Sequence, residues 1–262
     1  MKLLRLFSKK SPRQAPPETV RADDLFIVSY PKSGNTWQRF LIASLLHPDE
    51  EITFLTVSKL VPDIYQVKEA ELARGPSPRI LKSHEAFTPR YPKVIYVTRD
   101  PRSVAVSMYH FLIGTRKFGP EQPMEDFIRS YLRGEHFHNF RPWGENVSSW
   151  VSQVDAGNKN ILVLRYEDMK KNTVEELRRV AAFLERPASE AALRAAVEKC
   201  TFERMQKLEA ERKLINPSKK WDASRQFVRK GALDEWQQLF TPEQNETICR
   251  AFAEPMRRMN YL

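Results

Sequence analysis

A group of small and basic residues follows the apolar run at residues 25–28, and it comprises Lys32, Ser33, Gly34 and Thr36. Glycine lets backbone N–H groups approach phosphate oxygens, and the lysine and the two hydroxyls add a positive charge and further donors. A helix that begins here would add the positive end of its dipole. The lysine precedes the glycine, so this is not a Walker A loop. The segment predicts a loop that binds a phosphate-like anion, with an ordinary turn and helix cap as the alternative.

Two further basic segments could contact the same anion. Arg99 follows the apolar run at residues 93–98, and its planar guanidinium can grip two phosphate oxygens at once. Ser107 lies two helical turns beyond Arg99, and a basic tripeptide occupies residues 229–231. Either segment alone would be an ordinary basic surface, so its interpretation depends on the loop described above.

A histidine stands where a proton acceptor would be useful. His84 follows Lys82 at the end of the short run at residues 79–82. An imidazole with its ordinary pKa of about 6.5 can accept a proton at neutral pH. A lone histidine is more often structural, and we interpret the remaining ones in that way: His47, His110, His136 and His138.

The elements that position these residues alternate along the chain. Apolar runs predict four buried strands, at residues 25–28, 79–82, 93–98 and 161–164. Helical patterns fill much of the rest, at residues 36–46, 56–74, from 101 onward, 173–208 and 242–259. This alternation favours an α/β fold, a single domain with a central, mostly parallel β-sheet flanked by helices. Ligands of such sheets bind beyond the carboxyl ends of the strands, where the chemical residues above lie.

The charge balance narrows the class of partner. The chain has 43 lysines and arginines against 33 acidic residues, a net charge of +10, which suits an anionic ligand. We predict no nucleic-acid partner, because the informative basic residues stand singly at strand ends rather than along one element with exposed aromatics. The two cysteines, Cys200 and Cys249, have no metal-ligand spacing, which argues against a zinc site and favours a cytoplasmic location.

The two ends of the chain differ in character. We predict a basic, flexible N-terminal tail at residues 1–22, which could contact a membrane surface weakly, and the catalytic domain at residues 23–262. No stretch reaches the roughly 20 apolar residues of a transmembrane helix.

The motifs together resemble those of a known family. Residues 30–37 read Y-P-K-S-G-N-T-W and closely resemble the phosphosulfate loop of cytosolic sulfotransferases that use 3′-phosphoadenosine 5′-phosphosulfate (PAPS), which is usually Y-P-K-S-G-T-T-W. Residues 97–111 resemble the 3′-phosphate segment of that family, and residues 229–231 its late R-K-G motif. Residues 82–84 are similar to its K-T-H. Four motifs in the expected order make this resemblance specific.

The resemblance implies a reaction and a role for four residues. A sulfuryl group would move from PAPS to a hydroxyl or amine of a small molecule by in-line displacement, with 3′-phosphoadenosine 5′-phosphate (PAP) as product and no metal. His84 would be the general base. Lys32 would stabilise the bridging oxygen of the donor, and Lys82 the sulfuryl oxygens. Ser107 would restrain Lys32 until the acceptor binds.

The resemblance also implies a set of donor-binding residues, in which aromatic rings stack on the adenine. They are Lys32, Ser33, Gly34, Asn35, Thr36, Trp37, Arg99, Ser107, Tyr166, Cys200, Thr201, Phe202, Phe227, Val228, Arg229, Lys230 and Gly231. Three departures from the family pattern concern this set: Asn35 and Cys200 stand where threonine is usual, and Asp234 where a second glycine is usual. The usual C-terminal dimer motif is altered at residues 237–246, which leaves the oligomeric state open.

Two other functions can be weighed against sulfuryl transfer, and the class of acceptor can be described only in outline. A phosphate-loop kinase or hydrolase would need a lysine after the second glycine and a carboxylate for magnesium, and the chain offers neither. A binding module without turnover would lack His84 or Lys32, and both are present. Aromatic residues favour a partly apolar, possibly lipid or aromatic acceptor, although they could equally be core: Phe87, Tyr91, Phe111, Phe118, Phe137, His138 and Trp143.

Overall fold

Among the residues that the computed structural model describes, 17–212, 221–222 and 224–262, four parallel strands form one sheet. The strands are β1 (Leu25–Ser29), β2 (Ile80–Ser83), β3 (Lys93–Thr98) and β4 (Ile161–Arg165). They pair in the order β2-β1-β3-β4, so β1 and β3 are central. All four carboxyl ends therefore meet at one edge of the sheet, and the predicted α/β fold with a parallel central sheet is confirmed.

Helices connect the strands and cover both faces of the sheet. The α-helices of the described residues are α1 (Asn35–Leu46), α2 (Phe54–Leu60), α3 (Glu69–Arg74), α4 (Pro101–Gly114), α5 (Met124–Leu132), α6 (Trp143–Asp155), α7 (Tyr166–Lys171), α8 (Thr173–Phe183), α9 (Glu190–Lys199), α10 (Phe202–Arg212), α11 (Trp236–Leu239), α12 (Pro242–Ala251) and α13 (Ala253–Arg258). A short 3₁₀ helix spans Glu135–Phe140.

The central strand β1 is apolar along its whole length because both of its faces are covered. Phe26 and Val28 pack in the core formed with α4, α5 and α6, whereas Leu25 and Ile27 pack in the core formed with α1, α8 and α9. Every residue of β1 is buried. Burial of this kind explains why the run does not alternate with polar residues, and it fixes the start of the loop that follows.

Residues 17–22 lie against the domain. The guanidinium of Arg90 donates a hydrogen bond of 2.6 Å to the carbonyl of Pro17, and Arg79 donates one of 3.0 Å to the carbonyl of Thr19. Arg79 also forms an ion pair of 2.5 Å with the buried Asp24. The predicted tail therefore has its last residues in contact with β2 and its neighbouring loop, whereas residues 1–16 are outside the described residues.

Candidate active site

The loop between β1 and α1 has a backbone suited to an anion. Gly34 is the N-cap of α1 with a φ of 97°, and Lys32 has a φ of 72°. A Cβ at residue 34 would lie 2.5 Å from Cδ2 of Tyr166, so both the conformation and the ring require glycine here. The hydroxyl of Ser33 is buried and has no hydrogen-bond partner within the described residues. It can therefore donate to a ligand oxygen in the loop.

The ammonium group of Lys32 lies between two aromatic rings. Its Nζ is 4.3 Å from the ring centroid of Phe111 and 4.3 Å from that of Phe227. Burial lowers the pKa of Lys32 to about 7. Three neighbouring cations lower the pKa in the same direction: Arg99, Lys82 and Arg229. The loop, the end of β2 and residues 227–231, called the late basic segment below, therefore meet around one side chain.

Ser107 lies on α4, the helix that also carries Phe111. Ser107 is half-buried on α4, one turn before Phe111. Among the hydrogen bonds of the described residues none joins Ser107 to Lys32. The side chain that α4 presents to the ammonium is the phenyl ring of Phe111, so the contact that restrains Lys32 in this structure is a cation–π contact.

His84 is held in one tautomer at the end of β2. Its Nδ1 is 2.7 Å from the carbonyl oxygen of Ser29, which can only accept, so Nδ1 carries the proton. The lone pair of Nε2 is then available to accept a proton from a ligand. Its backbone N–H donates to the hydroxyl of Tyr65 at 2.9 Å, and Asn146 donates to its carbonyl at 3.2 Å. Burial lowers the pKa of His84 to about 3, which keeps the imidazole neutral at physiological pH.

A buried carboxylate pairs with Lys82. Oδ2 of Asp63 lies 2.5 Å from Nζ of Lys82, and the two residues also form an isolated parallel bridge beside β2. Burial alone would raise the pKa of Asp63, but the charge of Lys82 and its hydrogen bond lower it overall. Burial likewise lowers the pKa of Lys82, while Asp63 opposes that change. Asp63 therefore fixes the lysine and favours its charged form.

Arg99 joins the loop to the C-terminal part of the site. It donates a hydrogen bond of 2.8 Å to the carbonyl of Ala232 and a longer one, 3.4 Å, to the carbonyl of Lys32. Its guanidinium lies 4.3 Å from the ring centroid of Tyr166. The Nε of Arg99 is buried without a partner within the described residues, so it remains a donor for an anion.

The late basic segment contains an ion pair that the sequence did not predict. The carboxylate of Glu235 accepts two hydrogen bonds from the guanidinium of Arg229, one of them at 2.6 Å between Oε1 and Nη1. Nζ of Lys230 is 3.7 Å from the same Oε1. Gly231 has a φ of 58°, and a Cβ there would fall into the ring of Phe202. The glycine therefore lets this segment pass close over Phe202.

Helix α10 holds the late basic segment by its polar side chains. The carboxylate of Glu209 accepts hydrogen bonds from the backbone N–H groups of Phe227 and Val228, at 2.6 and 2.8 Å. The amide of Gln206 donates to the carbonyls of Val228 and Arg229, at 3.0 and 2.6 Å. The segment is therefore positioned by side-chain contacts and not by a strand ladder.

The predicted adenine contacts cluster beside the loop. The indole N–H of Trp37 donates to the carbonyl of Cys200 at 3.0 Å, and its ring meets that of Tyr166 edge-on at 5.7 Å. Trp37 and Tyr166 are both buried, whereas Phe202 is half-buried. The hydroxyl of Thr201 accepts from the backbone N–H of Arg204 at 3.3 Å, and thus caps α10.

Two predicted donor-binding residues direct their side chains into the protein. The amide of Asn35 donates to the carbonyl of Ile27 and to the hydroxyl of Ser29, each at 3.2 Å. Sγ of Cys200 lies 3.2 Å from the hydroxyl of Ser44, and Cys200 is buried. At these two positions the residues that replace threonine make contacts inside the protein.

A series of aromatic rings runs from His84 to Lys32. Phe140 lies 5.5 Å from His84 and 6.3 Å from Phe137, which in turn is 6.4 Å from Phe111. Tyr65 lies parallel to the imidazole of His84 at 6.1 Å. These rings form an aromatic wall, Tyr65, Phe140, Phe137 and Phe111, which extends from the predicted base to the ring that contacts the predicted phosphosulfate lysine.

Only part of the predicted acceptor set belongs to this aromatic wall. Tyr91 stacks on Phe26 with ring centroids 3.6 Å apart, and Trp143 is fully buried, so both are core residues. Phe87 and Phe118 also pack on the core, against Trp150 and Phe127. The side chain of His138 is outside the described residues. Phe111 and Phe137 thus remain, and Tyr65 and Phe140 join them.

Comparisons with known proteins agree with this geometry. Residues 22–260 match the family defined by the sulfotransferase domain. The chain belongs to the sulfotransferase family. It is 29% identical over 251 residues to the amine sulfotransferase of the rabbit, Oryctolagus cuniculus, covering 91% of this chain and 82% of that protein. It is 32% identical over 255 residues to human sulfotransferase 2B1, covering 92% of this chain and 68% of that protein.

A solved sulfotransferase has the same fold. The crystal structure of mouse sulfotransferase SULT7A1 complexed with PAP superimposes with a TM-score of 0.73 at 28% identity. The match covers 92% of this chain and 86% of the mouse chain. The family and the enzyme class predicted from the motifs are therefore confirmed, and this sulfotransferase shares its architecture over nearly its full length with a PAP-bound relative.

The described residues contain neither a cluster of metal-ligating side chains nor a membrane-spanning helix. No three histidine, cysteine or acidic side chains in this part of the sulfotransferase chain come together as metal ligands would. None of its described helices combines the length and the apolar composition needed to cross a bilayer.

Sequence reasoning missed four residues of the site: Asp63, Tyr65, Phe140 and Glu235. Asp63 and Tyr65 lie within the helical pattern predicted at residues 56–74, but α2 ends at Leu60 and α3 begins only at Glu69, and the bridge to Lys82 between these helices brings both residues to His84. Glu235 directly follows the departure at Asp234, but its contact with Arg229, six residues earlier, depends on how the chain turns between them. The one available signal was a carboxylate close in sequence to a predicted phosphate-binding arginine.

Proposed function

We propose that this sulfotransferase transfers a sulfuryl group from PAPS to a hydroxyl or amine of a small, partly apolar acceptor. The observation that carries the proposal is the convergence of three distant motifs around Lys32, whose Nζ lies between the rings of Phe111 and Phe227 and whose pKa is lowered to about 7 by burial and further by Arg99, Lys82 and Arg229. A family member with all of these groups in one place has what in-line sulfuryl transfer requires. The acceptor needs a base, and the leaving phosphate needs cations.

Several unpartnered groups fit the donor. The buried hydroxyl of Ser33 and Nε of Arg99 are donors without partners among the described residues. Gly34 and Gly231 leave room for the rings of Tyr166 and Phe202, which a side chain would displace. We assign the 5′-phosphosulfate to the loop with Lys32, Ser33, Gly34 and Thr36. We assign the 3′-phosphate to Arg99, Arg229, Lys230 and Gly231. We assign the adenine ring to the aromatic side chains of Trp37, Tyr166 and Phe202.

In the reaction the acceptor oxygen or nitrogen attacks sulfur, and the bond between sulfur and the bridging phosphate oxygen breaks. Nε2 of His84 takes the proton of the acceptor, because Nδ1 is already bonded to Ser29. Lys32 contacts the bridging oxygen as its negative charge grows, after leaving the rings of Phe111 and Phe227. Lys82, fixed by Asp63, faces the sulfuryl oxygens.

The aromatic wall supports an acceptor with a flat or apolar body. Its four rings extend from His84 to Phe111, whose ring contacts the ammonium of Lys32. A phenol, a hydroxylated lipid or an aromatic amine would bury its apolar part there and present its nucleophile to the imidazole. The rabbit relative is named an amine sulfotransferase, which supports keeping amines in the acceptor class.

A cytoplasmic location is part of the proposal. Both cysteines, Cys200 and Cys249, are free within the described residues, which is typical of a reducing compartment. Weak contact of the basic tail with a membrane surface remains a prediction.

The test is transfer of labelled sulfuryl from PAPS to a panel of phenols, hydroxysteroids, aromatic amines and simple sugars. We expect labelled product with the apolar acceptors and little with the sugars. Product formation only with the sugars would contradict the acceptor class. Absence of labelled product with every acceptor, together with no binding of PAP, would contradict the proposed reaction itself.

A further inference from the structure

The guanidinium of Arg229 already has a bidentate carboxylate partner. Glu235 accepts from both Nη atoms, and the interaction engages the forked end of the arginine, which is the end suited to two phosphate oxygens. Side-chain exposure is 29% for Arg229 and 15% for Glu235, so the pair is partly shielded from water. A phosphate that binds this fork end must replace the carboxylate.

Glu235 is delivered to this position by a segment tied to the donor site. Arg99 bonds the carbonyl of Ala232 at 2.8 Å, and the hydroxyl of Ser103 donates to the carbonyl of Leu233 at 2.5 Å. On the other side of Glu235, the ring of Trp236 lies 4.0 Å from the guanidinium of Arg102. Contacts with α4 on both sides therefore hold the carboxylate against Arg229.

The charges around the pair make the competition strong. The hydrogen bonds from Arg229 lower the pKa of Glu235, so it is ionised at neutral pH. Nζ of Lys230 lies 3.7 Å from Oε1 of Glu235, and the imidazole of His110 also interacts with Glu235. Burial lowers the pKa of His110 to about 4, so it adds no charge at neutral pH. A carboxylate and a phosphate dianion on one fork would repel each other.

We propose that Glu235 is a specificity-determining residue that competes with the 3′-phosphate of the donor for Arg229. The inference rests on the proposed function, because it assumes that the 3′-phosphate binds Arg229. A 3′-phosphate displaces Glu235 and gains the guanidinium. A nucleotide without this phosphate leaves the ion pair closed. The carboxylate thus lowers the affinity for PAP and leaves the affinity for AMP unchanged.

The experiment is calorimetric titration of wild type and Glu235→Gln with PAP and with AMP. Glutamine keeps the shape but loses the charge, so we expect PAP to bind about tenfold more tightly to the variant. AMP affinity stays the same. The matched control is Glu246→Gln, which removes the same charge from an exposed pair with Arg250 on α12 and accounts for the change in net charge.

A second variant shows whether Glu235 acts through Arg229. In the Arg229→Ala background, Glu235→Gln is expected to leave PAP affinity unchanged, because the guanidinium for which the carboxylate and the 3′-phosphate compete is absent. Tighter binding there would overturn the proposal, as would equal or weaker PAP binding by Glu235→Gln in the wild-type background. In that last case the carboxylate would be a support for the arginine. Failure of the proposed function is distinct, since wild type itself would then not bind PAP.

Discussion

The two ends of the active site are built in different ways. At the acceptor end, Lys82 lies in β2, which pairs with β1 and bridges to Asp63, and His84 directly after the strand bonds through Nδ1 to the carbonyl of Ser29 at the end of β1. At the 3′-phosphate end, Arg229 lies in an irregular segment that side chains of α10 and the carboxylate of Glu235 position. The acceptor end thus depends on the sheet, and the phosphate end on individual polar contacts.

This difference has a functional consequence. Proton transfer requires an imidazole held within a few tenths of an ångström, which a strand end supplies. A nucleotide must enter and leave, and contacts between side chains can be exchanged one at a time. We therefore expect changes at the acceptor end to affect turnover, and changes at the phosphate end to affect binding.

The largest expected effect separates the two ends directly. His84→Ala removes the proton acceptor, and we expect turnover to fall about 100-fold or more while PAP affinity stays at the wild-type value. Steady-state kinetics and calorimetry measure the two quantities. His47→Ala, at a partly exposed histidine paired with Glu50, is the matched control with wild-type turnover. Weak PAP binding by His84→Ala would mean that the imidazole supports the fold of the whole site.

The next effect concerns the phosphate end. Arg229→Ala removes a charge-assisted contact, which is worth about 2 kcal/mol, or roughly 30-fold in PAP affinity. Arg250→Ala removes an exposed arginine on α12 and leaves PAP affinity unchanged. If Arg229→Ala bound PAP as wild type does, the late basic segment would not be part of the donor site.

Removing the negative charge of Asp63 at the acceptor end is expected to have a smaller effect on turnover. Asp63→Asn keeps the shape of the side chain but removes the partner of Lys82, and the pKa of this buried lysine then falls further. We expect about a tenfold lower kcat at pH 7.5, unchanged PAP affinity, and partial recovery of kcat at lower pH as Lys82 regains its proton. A pH profile identical to that of wild type would exclude this role for Asp63.

The smallest effect tests where the two ends meet. The pKa of Lys32 is lowered to about 7, so the free protein loses this proton above that pH, whereas contact with a bound phosphate raises the pKa again. The affinity for PAP must then fall as pH rises, by about fivefold between pH 7 and pH 8, with uptake of a proton on binding. Calorimetry in buffers of different ionisation enthalpy measures that uptake. Lys32→Arg is expected to abolish both effects, and a persistent pH dependence would assign it to another group.

Much of the fold was readable from the sequence for a physical reason. β1 and β3 are buried on both faces, so their apolar runs are continuous. The helix predicted from residue 101 onward does begin there, and Asp100 caps it through a 2.8 Å bond from the N–H of Arg102. The long helical pattern at residues 173–208 divides into three helices. The left-handed backbone of Glu185 and the following Pro187 break it between α8 and α9.

The sequence predicted the parts of the site that lie within one contiguous motif, but not the contacts between residues far apart in the chain. Gly34 and its loop are set by neighbours in sequence. By contrast, Asp63 reaches Lys82 across 19 residues, and the aromatic rings around Lys32 come from α4 and from residue 227. At Asn35 and Cys200 the sequence predicted the position in the chain but not the direction of the side chain. Their positions were recognised, but sequence alone could not show that their side chains turn inward.

The most direct test of the central claim is calorimetric titration of the purified wild-type sulfotransferase with PAP and with ATP. We expect PAP to bind with micromolar or tighter affinity and ATP far more weakly, because Arg99 and Arg229 bind a 3′-phosphate that ATP lacks. A folded sample that does not bind PAP, or that binds ATP equally well, would contradict the assignment of PAPS as the donor.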